Sequence, residues 1–152
     1  MDFNFNIRKG IKDDLPHIFQ LEEEAFTPKN YPLFVLRQFY DLFPDLFFVA
    51  VNRLNEIKGY CFGGIDQDSN IGWVFALAVT KAEQKKKIGQ RITNELLTAF
   101  RNKNINVIQL TTTPDNRPAI HLYEQLGFKK LTEVRDYYFD NSPRIIMKLE
   151  LT

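Results

Sequence analysis

The sequence predicts an α/β fold, a single mixed sheet with helices on both of its faces. Three observations lead there. Short alternating or wholly apolar runs are interleaved with segments whose apolar residues recur every three or four positions. Their order reads strand, two helices, three strands, helix, strand, helix, two strands. No linker-like stretch interrupts that order, so residues 1–152 read as one domain, long enough to bury a core.

Each element has its own reason. Phe3, Phe5 and Ile7 alternate with polar residues, as in a half-buried strand. Asp13 and Asp14 suit a helix start, with Pro16 in the first turn where its missing N–H is harmless. Leu15, Ile18, Phe19, Leu21 and Phe26 give that helix an apolar face. FTPKNYP, from Phe26 to Pro32, is a loop by its prolines and asparagine, and a second helix is expected over Leu33–Phe43. Leu46–Val51 and Ile57–Ile65 read as partner strands around the turn 52–55.

After a turn at 66–70, Ile71–Val79 is a continuous apolar run, expected to be a strand buried on both faces. Ile88, Ile92, Leu96 and Phe100 then mark an amphipathic helix. Ile105–Thr111 is expected as a strand and TPDNRP as a loop. Pro118–Leu126 reads as a helix stopped by Gly127. The last strands are placed around Lys130–Tyr138 and Arg144–Leu151.

Composition narrows the function. Net charge is +1, so the global balance argues for neither nucleic acid nor an anionic membrane surface, and any electrostatic role is local. The longest uncharged run, Ser69–Thr80, is about a dozen residues, against the roughly 20 of a membrane-spanning helix. Cys61 is the only cysteine and the N-terminus lacks a leader-like apolar run, which favours a reducing, cytoplasmic setting. His17 and His121 lack partners at metal-ligand spacing, so no metal is expected.

The segment EQKKKIGQR, Glu83–Arg91, sits where the buried strand leads into the amphipathic helix. Free N–H groups and the helix dipole make such a junction an anion site. Three lysines there oppose the dipole, a conflict that a bound anion removes. Neither a Walker loop nor a dinucleotide fingerprint is present. Alone, the lysines read as a solvated patch.

Taken with its flanks, LAVTKAEQKKKIGQRITNELL (Leu77–Leu97) resembles the acetyl-CoA-binding segment of the GNAT N-acetyltransferases, a strand leading into [Q/R]-x-x-G-x-[G/A] and a helix. Gln84 matches the first position and Gly89 the last, while Lys87 replaces the first glycine, where a positive φ is disfavoured. Downstream, NRPAIHLYEQLGF (Asn116–Phe128) fits the family pattern N-x-x-A-x-x-L-Y-x-x-x-G-F at every fixed position, and GYCFGG (Gly59–Gly64) fits its third strand.

The resemblance implies a seven-stranded, mostly antiparallel sheet splayed between strands 4 and 5. It also implies acetyl transfer from acetyl-CoA to an amine by direct attack in a ternary complex. Backbone groups of Leu77, Ala78 and Val79 would meet the pantetheine arm and thioester. Amides of Gln84, Lys85, Lys86, Lys87, Ile88, Gly89 and Gln90 would hold the pyrophosphate. Asn116 would contact the arm, Ala119 would leave it room, and Tyr123 would be the general acid beside the sulfur.

Relatives often carry Glu or His five residues before the asparagine. Thr111 stands there in this sequence and cannot be a base of useful strength. At pH 7.4 an α-amine of pKa near 7.8 is roughly a quarter neutral, and a lysine-like amine about 0.1% neutral. A site without a strong base therefore suits an N-terminal α-amine. FTPKNYP, with Phe26 and Tyr31, resembles the peptide entrance of the N-terminal and ribosomal-protein alanine acetyltransferases. Tyr137 and Tyr138 resemble the tyrosine pair of their last hairpin, and Trp73 stands where some relatives place a tyrosine. The expected partner is a peptide N-terminus, acting on a monomer or homodimer. Small-amine acetylation, and CoA sensing without turnover, stay open.

Overall fold

The computed structural model describes residues 4–84 and 87–151. Phe3, expected in the first strand, lies outside them, as do Lys85 and Lys86 of the expected pyrophosphate loop.

Strands β1 (Asn6–Lys9), β2 (Phe47–Val51), β3 (Ile57–Asp66), β4 (Ile71–Val79), β5 (Val107–Thr112), β6 (Lys129–Val134) and β7 (Arg144–Glu150) form one seven-stranded sheet. Its order is β1-β2-β3-β4-β5-β7-β6. Every neighbouring pair is antiparallel except β4 and β5, which run parallel. The helices are α1 (Leu15–Phe26), α2 (Leu33–Leu42), α3 (Ile88–Asn102) and α4 (Arg117–Gln125). The expected order of elements and the sheet are both present.

Two apolar layers hold the helices to the sheet. Ile88, Ile92, Leu96 and Phe100 of α3 are all buried against one face, with Tyr123 and Phe128 from α4 and beyond it. Leu15 and Ile18 of α1 and Leu36 of α2 cover the other face over Phe47, Tyr60 and Phe62. Aromatic rings fill that second layer; Phe47 and Phe62 stack with centroids 4.7 Å apart. Asp14 sets the entry to α1, accepting the Ile11 N–H at 2.8 Å and pairing with Arg8 at 2.7 Å.

β4 carries an irregularity that matters later. Phe62 faces Ala76 and Gly63 faces Val74, so Phe75 is an extra residue bulged out of the ladder. Gly63 is required there, because a Cβ would lie 2.2 Å from the Trp73 carbonyl oxygen. The bulge resets the alternation of β4. Val74 packs with the α3 layer, whereas Phe75 and then Ala76 both join the α1–α2 layer.

Two expectations need correction. β4 is not buried on both faces throughout; Ile71, Trp73, Phe75 and Leu77–Val79 are half-buried, the last four lying beyond its pairing with β5. β6 ends at Val134 rather than near Tyr138. The chain beyond it turns, with Phe139 and Asn141 at positive φ. Asp136 accepts the Asn141 N–H and Asp140 accepts from Ser142, so local side-chain bonds replace the ladder. Tyr137 and Tyr138 therefore belong to a loop.

Candidate active site

The opening follows from the parallel pair. β4 and β5 share three register pairs, Ile71 with Val107, Gly72 with Ile108 and Trp73 with Gln109. Beyond Trp73 the strands diverge, and a cleft of about 640 Å³ passes between them. One side of it is lined by Leu77, Asn116, Ala119 and Tyr123, the other by Phe26, Tyr31, Tyr138 and Arg144.

The first side leads to the N-terminus of α3, whose chemistry suits an anion. Lys87 is the N-cap of α3 and takes the left-handed conformation, φ 60° and ψ 19°, despite its side chain. The first intrahelical bond runs from the Arg91 N–H to the Lys87 carbonyl at 3.1 Å. The N–H groups of Ile88, Gly89 and Gln90 are therefore the free donors of the helix N-terminus, where the dipole favours an anion. Gln84 ties the preceding loop back to β4, its amide donating to the Val79 carbonyl at 3.0 Å.

Gly89 has a packing reason. A Cβ there would meet Leu122 Cδ1 of α4 at 3.0 Å, with Val79 and Leu77 just beyond. The Ile88 side chain is core, and only its backbone is available to a ligand. Asn116 caps α4 by accepting the Ala119 N–H at 3.3 Å. Its amide N–H₂ has no protein acceptor among the described residues, so both the cap and a contact to the arm are possible.

Tyr123 lies 7% exposed, its ring edge-on to Phe128 at 5.6 Å. Its hydroxyl has no hydrogen-bond partner among the described residues. Burial raises its pKa, with Cys61 adding to the shift, so the phenol keeps its proton at all physiological pH values.

The second side is held by a carboxylate that the sequence reading missed. Glu22 is 1% exposed, accepting the Tyr60 hydroxyl at 2.5 Å on Oε1 and the Tyr31 N–H at 2.7 Å on Oε2. Burial raises its pKa, and the two hydrogen bonds partly offset that. Its signal was present: Leu15, Ile18 and Glu22 fall on one face of α1 at helical spacing, and an acid on an apolar stripe needs partners. The Tyr31 hydroxyl in turn reaches the Phe75 carbonyl at 3.4 Å, on the bulge of β4.

Thr111 sits on β5 in a polar knot. Arg144, the first residue of β7, donates Nε and Nη2 to Thr111 Oγ1 at 3.1 and 2.9 Å. Nη2 also donates to the Thr111 carbonyl at 3.1 Å. Tyr138 Oη lies 3.2 Å from Thr111 Oγ1, and the Arg144 guanidinium lies 5.2 Å from the Tyr138 ring centroid. Both lone pairs of Thr111 Oγ1 are taken by Arg144, so its O–H donates to Tyr138 and the Tyr138 proton faces outward. Thr111 cannot take a proton from an amine.

Lys29 and Asp140 join the two entrance loops by an ion pair of 3.1 Å. Among the described residues the cleft therefore offers no free carboxylate base. Glu22 is engaged on both oxygens and Asp140 is paired.

Two expected substrate contacts fall elsewhere. Trp73 lies in the paired part of β4, opposite Gln109 and Gly64, below the point of divergence. Tyr137 stands edge-on against Tyr138 at 4.9 Å, outside the lining of the cleft. Ala78 and Val79 end β4, paired with Tyr60 and Gly59, and do not line the cleft.

The chain belongs to the acetyltransferase (GNAT) family, whose model matches residues 14–128. It is an acetyl-CoA-dependent N-acetyltransferase. An N-alpha-acetyltransferase of Saccharolobus solfataricus is 29% identical over 155 aligned positions, spanning 95% of this chain and 92% of that one. N-alpha-acetyltransferase 30 of Schizosaccharomyces pombe is 27% identical, over 84% of this chain and 86% of its own. In fold, a solved structure described as the NatC complex bound to Gag peptide and CoA matches with a TM-score of 0.90 at 21% identity, covering 99% of this chain and 100% of the matched one. No described helix is long and apolar enough to cross a membrane.

Proposed function

We propose that the protein acetylates the N-terminal α-amine of a peptide or protein in the cytoplasm. The observation that carries this reading is the far side of the cleft. Two loops, each presenting a tyrosine, Tyr31 and Tyr138, wall an opening that leads to the point where β4 and β5 diverge. An extended chain entering there has backbone partners in Tyr138 and in the unpaired edges of both strands. The names of the relatives point the same way.

Acetyl-CoA supplies the thioester to be attacked. The residues do the rest. Ile88, Gly89 and Gln90 present amides to the diphosphate, and Asn116 orients the arm along β4. The unpaired backbone of β4 beyond the Phe75 bulge holds the acyl carbonyl, where its N–H groups stabilise developing negative charge. The amine enters neutral, because Thr111 has no lone pair left for its proton. Tyr123 donates to the departing sulfur, and the phenolate so formed regains its proton from the nitrogen as the amide forms. Burial that raises the phenol pKa also raises that of a nascent thiolate, so the pair remains matched.

Thiol release from acetyl-CoA, measured across peptides with varied first residues beside polyamines, amino sugars and amino acids, tests the proposal. Turnover is expected with peptides. Rapid acetylation of polyamines with peptides inert overturns it in favour of a small-amine enzyme. CoA binding without turnover on any amine makes the protein a sensor.

A further inference from the structure

The acceptor end of the cleft carries a cation with unused donors. Three of the hydrogen bonds of Arg144 go to Thr111, through Nε and Nη2. Guanidinium has five N–H groups, so both N–H groups of Nη1 remain. Among the described residues no carboxylate pairs with Arg144, and none accepts from Nη1. The other charges lining the cleft are Glu22, Lys29 and Asp140. Lys29 and Asp140 neutralise each other, and Glu22 is buried with both oxygens occupied.

The guanidinium is also immobilised. Thr111 holds one edge and the Tyr138 ring lies against it. A rigid, part-buried cation whose remaining two N–H groups have no acceptor among the described residues is set up to receive an anionic oxygen. It also repels a second ammonium, which disfavours polyamines and peptides with an early lysine.

We propose that Arg144 is a specificity-determining residue that selects acceptor peptides carrying an acidic side chain at their first or second position. The carboxylate binds Nη1 while Tyr138 holds the peptide backbone. This inference rests on the peptide reading of the cleft and narrows it.

The test compares kcat/KM for peptides with Asp or Glu at position one or two against the same peptides with Asn or Gln, in the wild type, Arg144→Met and Arg144→Lys. The expected wild-type preference is tenfold or more for the acid at one of the two positions. It should fall within twofold in Arg144→Met and survive in part in Arg144→Lys. A merely structural arginine would lower all peptides together and leave the acid-to-amide ratio unchanged. The thermal shift produced by CoA confirms that each variant is folded. Equal rates for acidic and amide peptides in the wild type overturn this inference and leave N-terminal acetylation standing. Turnover of free aspartate or glutamate matching that of the peptides also overturns it, by assigning the carboxylate to an amino acid. If no peptide is acetylated, the functional reading falls and this inference with it.

Discussion

The phenol of Tyr60 donates to Oε1 of Glu22 at 2.5 Å, across 38 residues of sequence. Tyr60 is in the core of the sheet, and the other oxygen of the same carboxylate holds the Tyr31 N–H. One buried acid thereby fastens the α1–α2 loop, and with it one wall of the acceptor side. Glu22→Gln keeps a single acceptor oxygen and should cost about 1–3 kcal/mol in denaturant unfolding. It should raise KM for the peptide more than KM for acetyl-CoA. An unchanged peptide KM would remove the loop-fastening role.

Glu22 also has a pH signature. Its folded pKa is raised above the ordinary 4.5, chiefly by burial. The folded state therefore binds the proton more tightly than the unfolded chain does. The stability advantage of wild type over Glu22→Gln is full below the unfolded value and declines as pH rises toward the folded one. Paired unfolding curves between pH 4 and 8 measure this. An advantage growing with pH would contradict the assignment.

Tyr123→Phe preserves the ring that packs on Phe128 and removes only the hydroxyl. The expected loss in kcat is about 100-fold or more, with CoA affinity within about threefold. Because burial raises the Tyr123 pKa, no alkaline decline from this group is expected in the working range. kcat/KM should instead rise as pH passes through the pKa of the acceptor amine, near 7.8 for an α-amine. An inflection that stays put when the amine is changed would demand a base on the protein.

Lys87 holds a left-handed backbone that suits glycine better. Lys87→Gly should stabilise the fold by about 1 kcal/mol and leave CoA affinity within about threefold. A loss above about tenfold, equal to 1.4 kcal/mol, would give the lysine side chain a phosphate contact of its own.

Cys61 is fully buried on β3, and burial pushes its thiol pKa up to about 12. It should not react with thiol reagents until the protein unfolds, so labelling rates should follow global opening across a denaturant series. Fast labelling of the native protein would show local opening of the sheet.

Much of this was legible beforehand, and for definable reasons. Element order, the α3 face and the helix carrying Tyr123 follow from periodicity and from glycine and proline placement, which are local properties. The bulge at Phe75 was not legible, since nothing in IGWVFALAV marks which residue leaves the ladder. Tyr137 and Tyr138 read as strand because aromatic residues favour strands, but hydrogen bonds accepted by Asp136 from Asn141 N–H and by Asp140 from Ser142 N–H took the backbone instead. Glu22 and Arg144 were missed because their partners, Tyr60 and Thr111, are distant in sequence. Thr111 was read as no base from its chemistry, and only the fold shows which cation occupies its oxygen.

The three-pair junction of β4 and β5 has a mechanical meaning. The sheet is two plates, β1–β4 and β5–β7–β6, meeting at a seam only as deep as Ile71–Trp73. On the proposed reading, a backbone laid between the plates, from the arm on one side or a peptide on the other, would supply the rungs that the seam lacks. Binding on either side should therefore stiffen the joint that the other partner needs. Amide exchange at β4 and Leu110–Thr112 would slow most when both are present. Acetylation would finish by unzipping that borrowed middle strand.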